Sequence, residues 1–249
     1  MKVYSITDIG QHRKINEDSY DNYLRENQYL LVVADGMGGH KAGEIASSIT
    51  VKSIIEYFKE NEEDYENPLD LINDAIYYAN EKVYRESIDN SDYNNMGTTI
   101  VLAYILNDEL FIANVGDSRA YLKNEYGFKQ VSRDHSLVND LLLNGTITEE
   151  EAELYTQRNI ITRAMGIEEN VEADSIVISL SNNDTVLLCT DGLTGELSDE
   201  EIEEVLTEDI SLEDKCKKLV DLSNERGGKD NITITLYEHG EVNKWLEKS

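Results

Sequence analysis

Residues 29–40 read Tyr-Leu-Leu-Val-Val-Ala-Asp-Gly-Met-Gly-Gly-His, an apolar run that ends in an aspartate and glycines. Such a run predicts a buried strand, and a rigid scaffold then holds Asp35 at the end of it. Glycine beside the aspartate lets the backbone turn sharply around a ligand. Three further aspartates, Asp117, Asp191 and Asp230, also stand near glycine at the edges of apolar runs. Converging carboxylates repel one another unless a cation lies between them, so the pattern predicts a site for hard divalent cations.

Composition sets the class of protein around this pattern. The chain has 249 residues, 40% of them hydrophobic, with a formal net charge of −29. These values predict a globular domain with a sizeable core and argue against nucleic acid or anionic membrane as a partner, since both need basic surfaces. Cys189 and Cys216 are far apart and are expected to be buried and structural. The polar N-terminus and the lack of a long apolar run predict a cytoplasmic protein.

Hydrophobic spacing predicts strands in clusters, with pairs of helices inserted between them, which favours an α+β layered fold. Residues 98–131 are expected to form an antiparallel meander. Residues 1–240 are predicted to be one domain with a flap at about 134–166, followed by a short tail at 241–249. The predicted strands lie at 2–8, 19–25, 28–34, 98–106, 109–115, 119–124, 128–131, 171–180, 184–190 and 231–238. The predicted helices lie at about 41–59, from Pro68, at 137–143, from Thr148, at 199–207 and at 211–225, with capping boxes at Thr148/Glu151 and Ser198/Glu201.

Six short blocks occur in a fixed order along the chain. They are Arg13-Lys-Ile-Asn-Glu-Asp-Ser, Asp35-Gly-Met-Gly-Gly-His, Gly97-Thr-Thr, Gly116-Asp-Ser-Arg, Asp191-Gly and Asp230-Asn. In this order the chain resembles the metal-dependent protein serine/threonine phosphatases of the protein phosphatase 2C type, in their bacterial form, over residues 5–236. The resemblance implies two packed antiparallel β-sheets flanked by pairs of α-helices, an α-β-β-α sandwich with a flap insertion. It also implies a site for two to three Mn²⁺ or Mg²⁺ ions.

The resemblance assigns the metal ligands. Asp35 is expected to bridge two ions, and the Gly36 carbonyl to ligate one of them. Asp191 and Asp230 are expected to hold the other ion. Asp117 with Asp191 would form a weaker third site.

The resemblance also assigns residues around the metals. Arg13 is expected to bind the phosphate with its planar guanidinium, and Asp18 to order water on the ions. Glu17 is expected to act through water. Eukaryotic relatives carry a histidine directly after the first Asp-Gly, where this chain has Met37. His40 is a candidate acid or substrate-positioning group, and it could equally cap the following helix or face solvent.

The implied activity is hydrolysis of phosphoserine and phosphothreonine in proteins. A water activated between two metal ions would attack phosphorus without a covalent phosphoenzyme. The expected partners are phosphorylated proteins, among them a bacterial serine/threonine kinase that the enzyme opposes, and the expected state is a monomer. Two other functions stay open: a catalytically inactive binding module on the same fold, and a two-metal hydrolase for small phosphate esters or nucleotides.

Each of these residues also has a plainer interpretation. Asp35, Asp191 and Asp230 could be ordinary turn aspartates, and Asp117 could lie in a hairpin turn. Arg13 could be a surface side chain. Three other groups are expected to be supporting rather than catalytic: Gly97-Thr98-Thr99 as packing, Arg119 as support for Asp117 or a strand edge, and His135 as a hinge of the flap.

Overall fold

A computed structural model describes residues 2–38, 42–153, 155 and 160–240. The strands are β1 (Val3–Asp8), β2 (Asp18–Arg25), β3 (Gln28–Met37), β4 (Gly97–Thr98), β5 (Ile100–Leu106), β6 (Glu109–Val115), β7 (Arg119–Asn124), β8 (Gly127–Gln130), β9 (Asp174–Ser179), β10 (Thr185–Cys189) and β11 (Ile232–Glu238). The α-helices are α1 (Ala42–Asn61), α2 (Pro68–Asp89), α3 (Leu137–Leu143), α4 (Glu149–Glu153), α5 (Asp191–Thr194), α6 (Asp199–Thr207) and α7 (Leu212–Arg226). Single 3₁₀ turns lie at Glu62–Asp64 and Ser91–Tyr93.

The strands form two antiparallel sheets. Sheet I has the order β1-β11-β10-β7-β8. Sheet II has the order β2-β3-β5-β6-β9, with the short β4 paired to β3. In sheet II the register of β2 and β3 sets Asp18 directly opposite Asp35. The predicted pair of antiparallel sheets is confirmed.

The apolar run of β3 is continuous because both faces of this strand are buried. Leu30 and Val32 pack in an outer core with residues of α1 and α2. Leu31 and Val33 point the other way, into a core shared with β10 of sheet I. A strand that is buried on both faces loses the alternation of polar and apolar residues.

Sheet I carries its own outer layer of helices. Leu187 and Cys189 of β10 pack in a core with Leu219 of α7 and Val205 of α6. Cys189 and Cys216 are both buried and unpaired in this layer, as expected. With α1 and α2 on the outside of sheet II, the four layers are helix, sheet, sheet and helix. This arrangement confirms the predicted sandwich.

The predicted meander over residues 98–131 is wrong at one connection. β5 and β6 pair in sheet II, whereas β7 and β8 pair in sheet I. Residues 116–118 therefore carry the chain from one sheet to the other. Gly116 makes this passage with φ of +106°, a backbone conformation that favours glycine.

The segment between β8 and β9 contains the predicted flap. Its two short helices, α3 and α4, match the predicted ones, and the Thr148/Glu151 capping box is present. The boundaries of the domain and of the flap stay a prediction, and the tail at 241–249 lies outside the described residues. Within the described ranges, no helix has the length and apolarity that crossing a membrane requires.

Candidate functional site

The two sheets bring three of the predicted ligands together from opposite layers. Asp35 lies near the end of β3 in sheet II. Asp191 begins α5 directly after β10, and Asp230 lies just before β11, both in sheet I. The charges of Asp191 and Asp230 both act on Asp35, so these carboxyls lie close together. The strand-edge aspartates therefore converge.

Burial and mutual repulsion both raise the pKa values of these aspartates. The pKa of Asp35 is raised well above its usual range, first by removal from bulk water and then by the charges of Asp18, Asp191 and Asp117. Asp35 is partly exposed, and protein surrounds most of its side chain. The pKa of Asp191 is also raised, by burial and by Asp230. A cation at the centre would relieve both costs.

Asp18 lies opposite Asp35 in the pairing of β2 with β3 and is only 7% exposed. Burial raises its pKa to about 7, against the opposing effect of hydrogen bonds from Thr233 and Thr190. Its Oδ1 has no hydrogen-bond partner among the described residues. Asp18 is thus a buried acid with one oxygen held and the other free to meet a ligand.

Asp117 reaches the same group from the passage between the sheets. It is 9% exposed, and burial together with the nearby Asp191 raises its pKa to about 7. The neighbouring Gly116 N–H donates to Nδ1 of the buried His135, at 3.1 Å. The strands on either side belong to different sheets, so the hairpin interpretation of Asp117 is wrong.

Two threonines hold the backbone of Asp35 in place. The Asp35 N–H donates to Oγ1 of Thr99 at 3.0 Å, and the Thr98 hydroxyl donates to the Asp35 carbonyl at 2.7 Å. Oγ1 of Thr99 also lies 2.7 Å from Oγ of Ser118, beside Asp117. The sequence pattern predicted packing alone. The structure shows that these threonines also link the backbone of Asp35 to Ser118, the neighbour of Asp117.

Arg13 is drawn into the site by a carboxylate. Its Nη2 donates to Oδ2 of Asp230 at 2.6 Å, and its Nη1 lies 3.9 Å from Oε2 of Glu17. The bond to Asp230 is the main reason why the pKa of Arg13 is raised. The guanidinium is therefore charged and lies beside the acidic cluster. Arg13 is thus more than a surface side chain without partners.

Asn231 fixes the loop that carries Arg13. Its Oδ1 accepts the Glu17 N–H at 2.8 Å, and its Nδ2 donates to the carbonyls of Ile9 at 3.0 Å and Ile15 at 3.1 Å. One buried amide thus fastens both ends of the loop to sheet I. The sequence offered only the Asp-Asn pair as a signal for this role.

Gly36 lies inside β3, and its expected sharp turn is wrong. A Cβ there would lie 2.1 Å from the carbonyl oxygen of Gly43 and 2.6 Å from that of Glu17. Glycine is required because α1 packs against the strand with no room for a side chain. This close approach brings the start of α1 next to the site.

The remaining residues with a predicted role are His40, His135 and Arg119. His40 lies outside the described residues. His135 is 2% exposed and lies at the base of the flap, where Nε2 faces Asp174 Oδ1 at 3.3 Å. Arg119 donates to both carboxylate oxygens of Asp134, and its charge partly offsets the rise in the pKa of Asp117. Arg119 thus supports the flap base as well as Asp117.

A cleft of about 810 Å³ opens over the acidic group. Its floor includes Asp117, Asp191 and Asp230, and its flap side is lined by Val138 and Leu142. This volume is large enough for a small ligand or a short peptide segment. The acidic group is therefore accessible from the surface.

The donor atoms fit hard divalent cations. Glu17 Oε1, Asp18 Oδ1 and Asp191 Oδ1 are buried oxygens that have no hydrogen-bond partner within the described part of the chain. Orphaned anionic oxygens of this kind are costly unless a cation or water satisfies them. Among the described residues, no three His, Cys, Asp or Glu side chains form a ready cluster around one ion. Ions at this position would therefore take carbonyl and water oxygens in addition to carboxylates.

A family model described as protein phosphatase 2C matches residues 11–236. The chain belongs to this family. This protein phosphatase 2C has the same fold as its solved relatives over nearly the whole chain.

Named relatives show the activity of similar family members. The serine/threonine phosphatase Stp of Listeria monocytogenes is 39% identical, over 98% of both chains. The crystal structure of the serine/threonine phosphatase Stp1 from Staphylococcus aureus covers 97% of this chain and 96% of its own, with a TM-score of 0.88 and 39% identity. The catalytic domain of the serine/threonine phosphatase PstP, solved with two manganese ions, covers 95% of this chain and 97% of its own, with a TM-score of 0.83 and 31% identity. The protein is a serine/threonine protein phosphatase that depends on divalent metal.

Proposed function

We propose that the converging aspartates hold two to three Mn²⁺ or Mg²⁺ ions for the hydrolysis of phosphoserine and phosphothreonine. Asp35 would be shared by two ions, with the Gly36 carbonyl as a ligand of one and Asp191 and Asp230 as ligands of the other. Asp117 with Asp191 forms a weaker third site. The observation that carries this proposal is the convergence of Asp35, Asp191 and Asp230 from two sheets, beside buried oxygens that lack a hydrogen-bond partner among the described residues, because cations would offset this charge.

Ions held there would lower the pKa of water toward neutrality and offset the charge of the phosphoryl oxygens. The chain itself supplies orientation. Arg13 presents a planar fork that matches two phosphate oxygens, at the rim of the cleft beside Asp230. Asp18 lies opposite Asp35 in the paired strands, and its free oxygen, Oδ1, would order water there. His40 stays a candidate proton donor for the leaving serine or threonine oxygen.

The substrates we propose are phosphorylated proteins, including a serine/threonine protein kinase that the enzyme opposes. Support comes from the named relatives and from the cleft of about 810 Å³, a volume that fits a short peptide segment. The cleft is lined by both acidic and basic groups, among them Lys229, which lies 3.2 Å from Glu196. We further propose a cytoplasmic monomer that acts in signalling, in agreement with two buried, unpaired cysteines.

The test is a metal-dependence assay on phosphothreonine and phosphoserine peptides, run beside nucleotides and with a chelator control. We expect hydrolysis of both peptides with Mn²⁺ and none after complete chelation. Activity that survives chelation would overturn the metal assignment. Preference for nucleotides would favour the small-ester hydrolase, and inactivity on every substrate would favour the binding module.

A matched variant addresses the phosphate contact. Arg13→Lys keeps the charge but cannot offer two parallel hydrogen bonds. We expect KM for the phosphopeptide to rise about tenfold, the effect of about 1.4 kcal/mol, with little change in Mn²⁺ affinity. An unchanged KM would contradict the role of Arg13.

A further inference from the structure

Asp18 is held by two buried threonines of the opposite sheet. Oγ1 of Thr233 lies 2.7 Å from Asp18 Oδ2, and Oγ1 of Thr190 lies 2.9 Å from the same oxygen. Asp18 belongs to sheet II, whereas Thr233 is in β11 and Thr190 follows β10, both in sheet I. Both threonines are 0% exposed. The two hydroxyls therefore form a polar link across the interior between the sheets.

The direction of each hydrogen bond in this link is determined. Both threonine hydroxyls donate to Asp18 Oδ2, which accepts through its lone pairs. Thr233 must then accept from Thr7, whose Oγ1 lies 2.7 Å away. Thr7 in turn accepts from the side-chain amide of Asn16, at 2.8 Å. Every hydroxyl proton along this line points toward Asp18.

Thr190 is fixed independently. Its Oγ1 accepts the backbone N–H of Thr233 at 3.0 Å, which leaves its proton for Asp18. The two donors thus approach Oδ2 from two different backbone segments. With Oδ2 held on two sides, the plane of the carboxylate is set, and Oδ1 is the oxygen without a partner among the described residues.

Thr233 is fully buried between the sheets, where its hydroxyl contacts Asp18 and Thr7. A buried hydroxyl at such a position is unfavourable unless it is hydrogen-bonded, and a β-branched valine would fill the same volume. A role in fixing Asp18 explains why a hydroxyl is present.

We infer that Thr190 and Thr233 are positioning residues for the phosphatase reaction. They hold Asp18 Oδ2 so that Oδ1 faces the ion and water positions beside Asp35. This inference rests on the proposed function, and it adds two residues that act only through Asp18. Thr7 and Asn16 complete the line and polarise the Thr233 hydroxyl.

The test compares Thr233→Val with a control on the same strand. Thr235 is also 0% exposed and lies on the same side of β11, but its hydroxyl donates to Ser5 at 2.9 Å and does not reach Asp18. Thr233→Val and Thr235→Val therefore remove the same atom from the same kind of environment. Thr233→Ser restores the donor without the methyl group.

For Thr233→Val we expect kcat on a phosphothreonine peptide to fall about ten- to hundredfold, as for loss of a hydrogen bond to a charged group. KM should stay within about twofold of wild type, because Asp18 does not bind the phosphate. Calorimetric Mn²⁺ titration should show weaker binding. Thr233→Ser should recover most of kcat, and Thr190→Val should repeat the loss if Thr233→Val does not fold.

Three results would overturn the inference. One is an equal loss of kcat in Thr233→Val and Thr235→Val. Another is a Thr233→Ser variant as impaired as the valine variant. The third is full kcat and Mn²⁺ affinity in Thr233→Val. If wild-type protein itself shows no Mn²⁺-dependent hydrolysis of the phosphopeptide, the proposed function fails instead, and the two failures are thereby distinguished.

Discussion

At Asp191, metal binding and the stability of the fold favour different protonation states. Its carboxyl belongs to the group that would hold metal, yet burial and the charge of Asp230 disfavour its ionised form. Without a cation the charged residue lowers the stability of the fold. With a cation the same charge becomes a ligand. Function and stability of the metal-free protein are therefore opposed at this residue.

Asp191→Asn separates these two effects. We expect hydrolysis of p-nitrophenyl phosphate with Mn²⁺ to fall about a hundredfold or more, since an essential interaction of the transition state is lost. Asp35→Asn should behave in the same way. In a chelator the Asp191→Asn protein should melt at the same temperature as wild type or higher. Full activity of either variant would show that the ligands are assigned wrongly.

His135 gives the protein a pH-dependent contribution to stability. Its Nδ1 accepts the Gly116 N–H, and its Nε2 faces Arg163 Nη1 at 3.1 Å as well as Asp174. Burial first, and then the positive charge of Arg163, lower its pKa against the opposing charge of Asp174. The unfolded chain therefore binds a proton at His135 at a higher pH than the folded protein does. This contribution is present above about pH 6.5 and is lost as the pH falls through the folded pKa.

His135→Asn should reduce that loss. We expect the free energy of unfolding, measured with urea in a chelator at about pH 7.5 and about pH 5.5, to drop less in the variant than in wild type. Comparing the two proteins cancels the carboxylates that both share. An equal drop in both would show that His135 is not neutral in the folded protein.

Helix ends were the most predictable elements of the chain. Ser198 and Glu201 form the predicted capping box of α6: the Ser198 N–H donates to Glu201 at 3.0 Å, and the Glu201 N–H donates to Ser198 Oγ at 3.4 Å. Glu201 also accepts from Arg226 of α7 at 2.9 Å. The same residue thus caps one helix and ties it to the next.

Ser198→Ala tests the cap. The variant should lose about 1 kcal/mol in the free energy of unfolding, because one N–H at the helix start loses its acceptor. Ser211, which caps α7 by accepting the Asp214 N–H, offers a matched control at a second helix. Urea unfolding of Ser198→Ala, Ser211→Ala and wild type checks the value. Losses below about 0.3 kcal/mol in both would show that these caps are not needed.

Local signals explain what could and could not be predicted among the elements. Caps, apolar periodicity and Pro68 at a helix start act within a few residues, so strand and helix positions agree closely. The passage through Gly116 to sheet I could not be told from a hairpin, because both need a glycine between two apolar strands. The sheet that a strand joins is not marked locally, because a strand such as β3 is buried on both faces. The reason for Gly36 was also not predictable, because only the packing of α1 against β3 shows that a side chain has no room there.

Metal binding should stabilise the molecule as a whole. Ions that bind the folded protein alone raise the free energy of unfolding by about 2.7 kcal/mol at a hundredfold excess over Kd. Differential scanning fluorimetry with increasing Mn²⁺ should therefore show a rising Tm, reversed by chelator. A Tm that does not respond to Mn²⁺ would contradict the proposed site and favour the inactive binding module.

The site itself was predictable in part. Aspartates at strand edges were visible because each stands beside glycine and an apolar run. The threonines that hold Asp18 were not, since they lie 172 and 215 residues away in sequence. No local pattern marks a hydroxyl whose partner is on another sheet. Such contacts become evident only once the two sheets are stacked.

The pairing of β1 with β11 has a consequence for synthesis on the ribosome. Val3 lies opposite Tyr237. The edge strand β1 of sheet I can therefore pair only after almost all of the described residues have been synthesised. Contacts this distant in sequence form late and slowly. Asp191, Asp230 and the Asn231 anchor of the Arg13 loop depend on the same late strand. A nascent chain therefore cannot dephosphorylate anything, and activity begins only after β11 has left the exit tunnel.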